Sequence, residues 1–145
     1  MVIGIGNAMR HDDGVGPAAV ERLRRDDSPG VDYLALDGES TRLLEAWRDR
    51  ERAVVIDAVR SDTSPGRLHR LELGRDDVPT APPATSTHGG GLAEAVELGR
   101  ELQRLPATLV VLGVEAEDLS PGEGLSSAVA AALPTLLERV RAEVI

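Results

Sequence analysis

The chain contains no cysteine, no phenylalanine and no lysine. Without cysteine it cannot form disulfides, thiolate zinc sites or a thiol nucleophile. With one tyrosine (Tyr33) and one tryptophan (Trp47), its core must be built from Leu, Val, Ile and Ala. The first residues contain neither a basic segment nor a long apolar run, so neither a signal peptide nor a membrane span is expected. We therefore expect a cytoplasmic protein.

The remaining composition is that of a small acidic globular protein. A length of 145 residues with 41% hydrophobic residues predicts a single domain, residues 1–145, with a genuine core. All 16 basic residues are arginine, and the formal net charge is −9. No stretch is basic enough to neutralise a phosphate backbone, so nucleic acid is not an expected partner. A monomer is expected.

Strand and helix patterns alternate along the chain. Apolar runs predict strands at 2–5, 31–36, 53–59, 68–73 and 108–114. Helical periodicity predicts helices at 14–25, 40–47 (capped by Ser40 or Thr41), 92–102 and 126–140. This alternation predicts an α/β fold, a three-layer sandwich with a five-stranded mixed, mostly parallel sheet flanked by helices.

Loop lengths predict the direction of the fourth strand. About seven residues separate it from the third strand, whereas a parallel crossover needs a dozen or more, so strand four should be antiparallel. Its polar residues suggest an edge strand. The proline-rich loop from Gly74 to Gly91 would then return the chain to the carboxyl ends of the parallel strands. His88 is thereby predicted at the end where open α/β sheets bind ligands.

Two carboxylates and one imidazole are predicted to meet at that end. Asp57 stands near the end of a buried strand, where a carboxylate is costly unless it is paired or bound. Asp12 and Asp13 precede a helix and could instead cap it, and His88 could be a solvated loop residue. Taken together, Asp13, Asp57 and His88 suit a borderline divalent metal ion with open coordination positions.

Other motifs are less informative. Gly4-Ile5-Gly6 is similar to a dinucleotide-binding fingerprint, but Met9 stands where its third glycine would be. His69 is expected to be a solvated residue of the edge strand, and His11 could lie at the rim of the site. No G-x-S-x-G elbow is present, so a serine mechanism is not expected.

The order of these segments resembles the hydrogenase maturation protease family. Residues 4–16 (GIGNAMRHDDGVG) match its opening pattern G-x-G-N-x-x-x-x-D-[DE]-G-x-G, and residues 55–59 match its strand containing an aspartate. Residues 86–88 match its [ST]-[ST]-H segment before a helix. Residues 113–115 match its late G-[VI]-[EQ]-P motif, in which Ala116 replaces the proline.

The resemblance implies an endopeptidase that removes the C-terminal extension of a nickel-iron hydrogenase large-subunit precursor. It further implies that Asp13, Asp57 and His88 contact nickel carried by the substrate rather than permanently bound, in a hydrolase of aspartic or metal-dependent type. Either Asp13 or Asp57 could act as the general base. The alternatives are a non-catalytic nickel- or nucleotide-binding module on the same fold, and another metallohydrolase on a related one.

Overall fold

The computed structural model describes residues 1–26, 28–74 and 91–144. These residues form five strands, one 3-10 helix and four α-helices. In chain order the elements are β1 (Val2–Ile5), the 3-10 helix (His11–Gly14), α1 (Val15–Arg24), β2 (Tyr33–Leu36), α2 (Ser40–Ala46), β3 (Arg52–Val59), β4 (Leu68–Gly74), α3 (Gly91–Glu101), β5 (Thr108–Glu115) and α4 (Ser127–Glu143).

The five strands form one sheet in the order β2-β1-β3-β5-β4. Strands β2, β1, β3 and β5 are mutually parallel, and β4 pairs antiparallel with β5. The mixed sheet is therefore confirmed, with β4 antiparallel at one edge and β5 parallel to β3. The short β3–β4 connection explains this arrangement, because it lets the chain reverse without crossing the sheet.

Helices cover both faces of the sheet, which confirms the three-layer architecture. One core cluster packs α1 and α4 against one face of the sheet, including Val54 and Ile56 of β3. The second packs α2 and α3 against the other face, including Ala53 and Val55. Because side chains alternate along a strand, β3 contributes to both clusters, as its continuous apolar run predicts.

The sequence patterns predicted the cap of α2 and the last residue of α3 wrongly. Helix α2 is capped by Glu39, whose carboxylate accepts hydrogen bonds from the backbone N–H groups of Thr41 and Arg42, and not by Ser40 or Thr41. Leu102 lies beyond the end of α3 and is 53% exposed, so it does not line the buried face of that helix. In contrast, Ser126 caps α4 as expected and accepts a hydrogen bond from the N–H of Val129.

Helix α3 begins at the carboxyl ends of the parallel strands. A Cβ added at Gly91 would lie 2.1 Å from the carbonyl oxygen of Gly38. Gly38 follows β2, so the first residue of α3 lies next to the carboxyl end of the sheet. This is the position that the topology argument requires for α3. In the part of the chain that the structure describes, no helix is long and apolar enough to span a membrane.

Candidate active site

Asp13 is brought to the carboxyl end of the sheet by tight packing of the first loop. A Cβ on Gly6, whose φ is 150°, would lie 1.8 Å from the carbonyl oxygen of Asp13. A Cβ on Gly16 would lie 2.5 Å from the carbonyl oxygen of Ile5 and 2.8 Å from that of Ile56. Glycine is therefore required for the start of α1 to rest directly on β1 and β3.

The Asp13 carboxylate is buried just beyond β1. The residue is 2% exposed, and its Oδ2 accepts a hydrogen bond of 2.9 Å from the backbone N–H of Asn7. Asn7 in turn accepts a hydrogen bond through its Oδ1 from the N–H of Met9, which holds the loop in a tight turn. The loop therefore fixes the carboxylate of Asp13 close to the end of β1.

Asp57 lies two residues before the end of β3 and is fully buried. It shares a face of the strand with Ala53 and Val55, so its side chain points towards the layer formed by α2 and α3. The 3-10 helix containing Asp13 packs against β3. Two buried aspartates thus occupy adjoining elements at the carboxyl end of the sheet.

His88 falls in 75–90 and lies outside the described residues. Its predicted meeting with Asp13 and Asp57 therefore stays a prediction. Within 1–26, 28–74 and 91–144, no three His, Asp or Glu side chains form a group that could hold a metal ion. A three-ligand site that includes Asp13 and Asp57 would need a ligand from elsewhere in the chain, or from the substrate.

Asp12 has a role that helix capping did not predict. It makes no cap hydrogen bond at the helix start. Its buried carboxylate accepts hydrogen bonds from the N–H groups of Glu117, Asp118 and Ser126 and from the Ser126 hydroxyl, at 2.7–3.0 Å. Asp12 therefore ties the first loop to the segment between β5 and α4.

A second polar cluster lies at the carboxyl end of β5. Glu115 is 2% exposed, and its carboxylate accepts hydrogen bonds from the N–H and hydroxyl of Ser61 and from the hydroxyl of Thr63. Its Oε1 also lies 3.1 Å from Nε2 of His69. The expectation that His69 is a solvated surface residue was wrong, because its side chain is only 32% exposed and pairs with a buried carboxylate.

These contacts determine the charge state of Glu115. Burial alone would raise its pKa, but the hydrogen bonds from Ser61, Thr63 and His69 outweigh burial and lower the pKa to about 2. The carboxylate is therefore ionised at neutral pH. Residues 113–115 were recognised as a motif in the sequence, whereas no local signal linked Glu115 to His69, 46 positions away.

Comparison with known proteins agrees with the fold and with the motif pattern. The model of a hydrogenase maturation protease family, HycI, matches residues 17–143. This range includes Asp57 and Glu115 and begins just after the loop of Asp13. Residues 4–16 therefore remain a separate motif match.

Two curated relatives cover most of the chain. The hydrogenase expression/formation protein HupD of Bradyrhizobium diazoefficiens is 34% identical over 86% of this chain, which spans 66% of that protein's own length. The hydrogenase 2 maturation protease of Escherichia coli is 32% identical over 98% of this chain and 88% of its own length.

A solved structure extends the similarity to three dimensions. The hydrogenase maturating endopeptidase HybD from E. coli superposes with a TM-score of 0.79 at 29% identity, covering 97% of this chain and 88% of HybD. The sheet described above, the match over residues 17–143 and these relatives identify the chain as a member of the hydrogenase maturation protease family.

Proposed function

We propose that this protein is the endopeptidase that removes the C-terminal extension of a nickel-loaded [NiFe] hydrogenase large-subunit precursor. The observation that carries the proposal is the superposition of nearly the whole chain on a hydrogenase maturating endopeptidase. A further structural relative, at 26% identity and a TM-score of 0.77, is described as a [NiFe] hydrogenase maturation protease from Thermococcus kodakarensis. That name supports nickel as a component of the substrate.

In this proposal, Asp13, Asp57 and His88 contact the nickel of the precursor. Burial of both aspartates at the end of the sheet where ligands bind supports their assignment. Two carboxylates and an imidazole can complete the coordination of a metal that arrives with open positions. The nickel belongs to the substrate, and its contact with the three side chains would hold the adjoining peptide bond in place.

Peptide hydrolysis then requires a water to attack the scissile carbonyl and a base to accept the proton of that water. Asp13 and Asp57 are the two candidates for the base, and the nickel can polarise the carbonyl. With no cysteine in the chain, a thiol nucleophile is excluded. We propose direct attack by water: the base takes a proton from the water as the C–O bond forms and gives it to the leaving amine as the C–N bond breaks, without a covalent intermediate.

The domain organisation, oligomeric state and cellular location of the protein are part of the same proposal. We infer one domain over residues 1–145, supported by the single sheet to which every strand of the described residues belongs. The acidic composition and the sequence pattern favour a monomeric cytoplasmic protein that acts on the large-subunit precursor and binds neither nucleic acid nor membrane.

The test is mass spectrometry of a hydrogenase large-subunit precursor after incubation with the protein. The nickel-loaded precursor should lose its C-terminal extension in a single cut, and inhibitors of serine and cysteine proteases should leave the rate unchanged. Failure to cleave the loaded cognate precursor, combined with tight nickel binding by the protein alone, would replace this proposal by the non-catalytic nickel-binding module.

A further inference from the structure

The first loop holds Asn7 through its backbone and through one atom of its side-chain amide. The backbone N–H donates to Oδ2 of Asp13 at 2.9 Å, and the backbone oxygen accepts from the N–H of Arg10 at 3.1 Å. The side-chain Oδ1 accepts from the N–H of Met9 at 2.9 Å. A backbone N–H can only donate, so the amide atom that faces Met9 is the oxygen. No hydrogen bond within the described residues uses the amide nitrogen, Nδ2.

The turn at Asn7 does not by itself require an amide. Oδ1 is the acceptor of an Asx turn, and the side-chain oxygen of an aspartate or a serine also serves such a turn. An aspartate would place a second carboxylate beside Asp13, where like charges repel each other. A serine would avoid that repulsion, yet the chain has an asparagine, which adds the two N–H donors of Nδ2. The turn accounts for Oδ1 and leaves these donors for another role.

The distance between Nδ2 and the Asp13 carboxylate suits two groups that act on one peptide bond. Asn7 is exposed at the carboxyl end of β1, and its backbone contacts a carboxylate that is 2% exposed. Because Nδ2 belongs to the residue whose N–H contacts Oδ2, bond lengths keep the two atoms within about 8 Å of each other. A water about 2.8 Å from the carboxylate and a carbonyl carbon about 3 Å from that water fit between them as a bent chain.

Peptide hydrolysis places negative charge on an oxygen that needs a hydrogen-bond donor. When the water oxygen bonds to the scissile carbonyl carbon, the π electrons of the C=O bond move onto the carbonyl oxygen, and the base takes one proton from the water. Asp13 and Asp57 can only accept hydrogen bonds when they are ionised, so an ionised aspartate cannot stabilise this oxygen. A neutral amide N–H can stabilise it. The amide keeps its hydrogen while the C=O bond re-forms, the C–N bond breaks and the base gives its proton to the leaving amine.

We propose that Asn7 is a catalytic residue whose Nδ2 donates a hydrogen bond to the oxygen of the scissile carbonyl as that oxygen becomes negatively charged. The bond from the N–H of Met9 to Oδ1 orients the amide. The bond from the N–H of Asn7 to Asp13 fixes the distance between the donor and a candidate base. This inference rests on the proposed function, because it assigns a further group to the same reaction.

Two substitutions at Asn7 separate this role from that of the turn. Asn7→Asp keeps the shape of the side chain and an acceptor for the N–H of Met9, but it removes the donor. Asn7→Ser also keeps an acceptor for the turn and carries no charge, but its side chain is too short to place a donor where Nδ2 lies. Met9→Ala is the matched control from the same loop, because the Met9 residue is 56% exposed and its backbone N–H is retained.

The experiment is single-turnover cleavage of nickel-loaded precursor at increasing enzyme concentration, which gives both the rate constant of cleavage and the apparent Kd. Asn7→Asp and Asn7→Ser should each lower the rate constant by about 100-fold or more, as removal of a donor to a developing oxyanion does. The apparent Kd of Asn7→Ser should stay within about threefold of the wild type, because the hydrogen bond strengthens in the transition state. Urea denaturation should show both variants folded, and Met9→Ala should keep the rate constant within about twofold.

Normal cleavage by either Asn7 variant would overturn the inference and leave Asn7 as a residue of the turn alone. Slow cleavage that accompanies unfolding of both variants would do the same. A weaker Kd with an unchanged rate constant would also overturn it, because Asn7 would then bind the substrate without acting on the transition state. In each of these cases, cleavage by the wild type leaves the proposed function standing. If the wild type cuts no nickel-loaded precursor, the proposed function fails and the role of Asn7 fails with it.

Discussion

Asp12 and Asp13 are adjacent in the sequence, yet their carboxylates have different neighbours. The Asp12 carboxylate accepts four hydrogen bonds from the segment that joins β5 to α4, whereas Oδ2 of Asp13 accepts a hydrogen bond from the N–H of Asn7, just beyond β1. The first arrangement joins distant parts of the chain. The second holds a carboxylate at the candidate site.

This contrast predicts opposite effects for two neighbouring substitutions. Asp12→Ala leaves buried donors without an acceptor and should lower the free energy of unfolding by at least about 3 kcal/mol. Asp13→Asn keeps the shape of the side chain and an oxygen for the N–H of Asn7, so it should lower the free energy of unfolding less than Asp12→Ala does while abolishing precursor processing. Urea denaturation and the processing assay check the pair. A large loss of stability in Asp13→Asn would instead assign Asp13 a structural role.

Glu115 predicts a specific dependence of stability on pH. Its pKa falls from the ordinary 4.5 to about 2 on folding, because hydrogen bonds from Ser61, Thr63 and His69 outweigh the effect of burial. The ionised carboxylate therefore contributes roughly 3 kcal/mol above pH 4.5, and this is lost as the pH falls from about 4.5 to about 2. Glu115→Gln should remove that part of the acid sensitivity.

Denaturation of wild type and Glu115→Gln at several pH values measures this effect. The stability difference between the two proteins should be largest at neutral pH and should shrink as the pH approaches 2. A difference that is constant across this range would mean that the carboxylate gains no stabilisation from its charged form.

At the scale of elements, Gly16 at the start of α1 and Gly113 in β5 are expected to differ in how well they tolerate a substitution by alanine. Gly16→Ala would push a Cβ into backbone atoms of Ile5 and Ile56, which cannot move without shifting β1 or β3. Gly113→Ala would meet only side-chain atoms, of Val59 and His69, at 3.1 Å or more.

We therefore expect Gly16→Ala to cost about 3 kcal/mol or more and to impair processing, because it displaces the start of α1. Gly113→Ala should stay within about 1 kcal/mol of the wild type, because the side chains of Val59 and His69 can yield by a few tenths of an ångström. Thermal denaturation distinguishes the two variants. Equal stability of both variants would contradict the packing that positions Asp13.

The elements with strong periodic patterns were predictable from sequence. The continuous apolar runs of β3 and β5 and the stripe of Val15, Ala19 and Leu23 on α1 each encode burial locally. The cap of α2 was missed because Glu39 is not among the residues that usually cap helices. Its longer side chain still reaches two backbone N–H groups of the first turn.

At the scale of the whole molecule, topology followed from loop lengths, whereas polar contacts between distant segments did not. The short β3–β4 connection was enough to predict an antiparallel β4. The pairing of Asp12 with Ser126 spans 114 positions, and that of His69 with Glu115 spans 46. The His69–Glu115 pair depends on the register of β4 and β5, and the Asp12–Ser126 pair on where the first loop meets the segment between β5 and α4. No local pattern specifies either.

The candidate site includes a residue that the local sequence pattern predicted and a residue that it did not. Asp57 was identified because a carboxylate near the end of a buried strand is costly, and its complete burial agrees with that reasoning. Asp13 was identified mainly through the resemblance, since its spacing alone allowed helix capping. The contact of Glu115 with His69, next to the carboxyl end of β5, could be found only from the pairing of β4 with β5.

The central claim is that the protein recognises nickel in its substrate before it cuts. The most direct measurement compares the processing rates of nickel-loaded and nickel-free precursor by mass spectrometry, for wild type and for His88→Ala. We predict rapid removal of the extension from the loaded precursor by the wild type, no removal from the nickel-free precursor, and little or none from either by a folded His88→Ala variant. Equal cleavage of loaded and nickel-free precursor by the wild type would contradict the account.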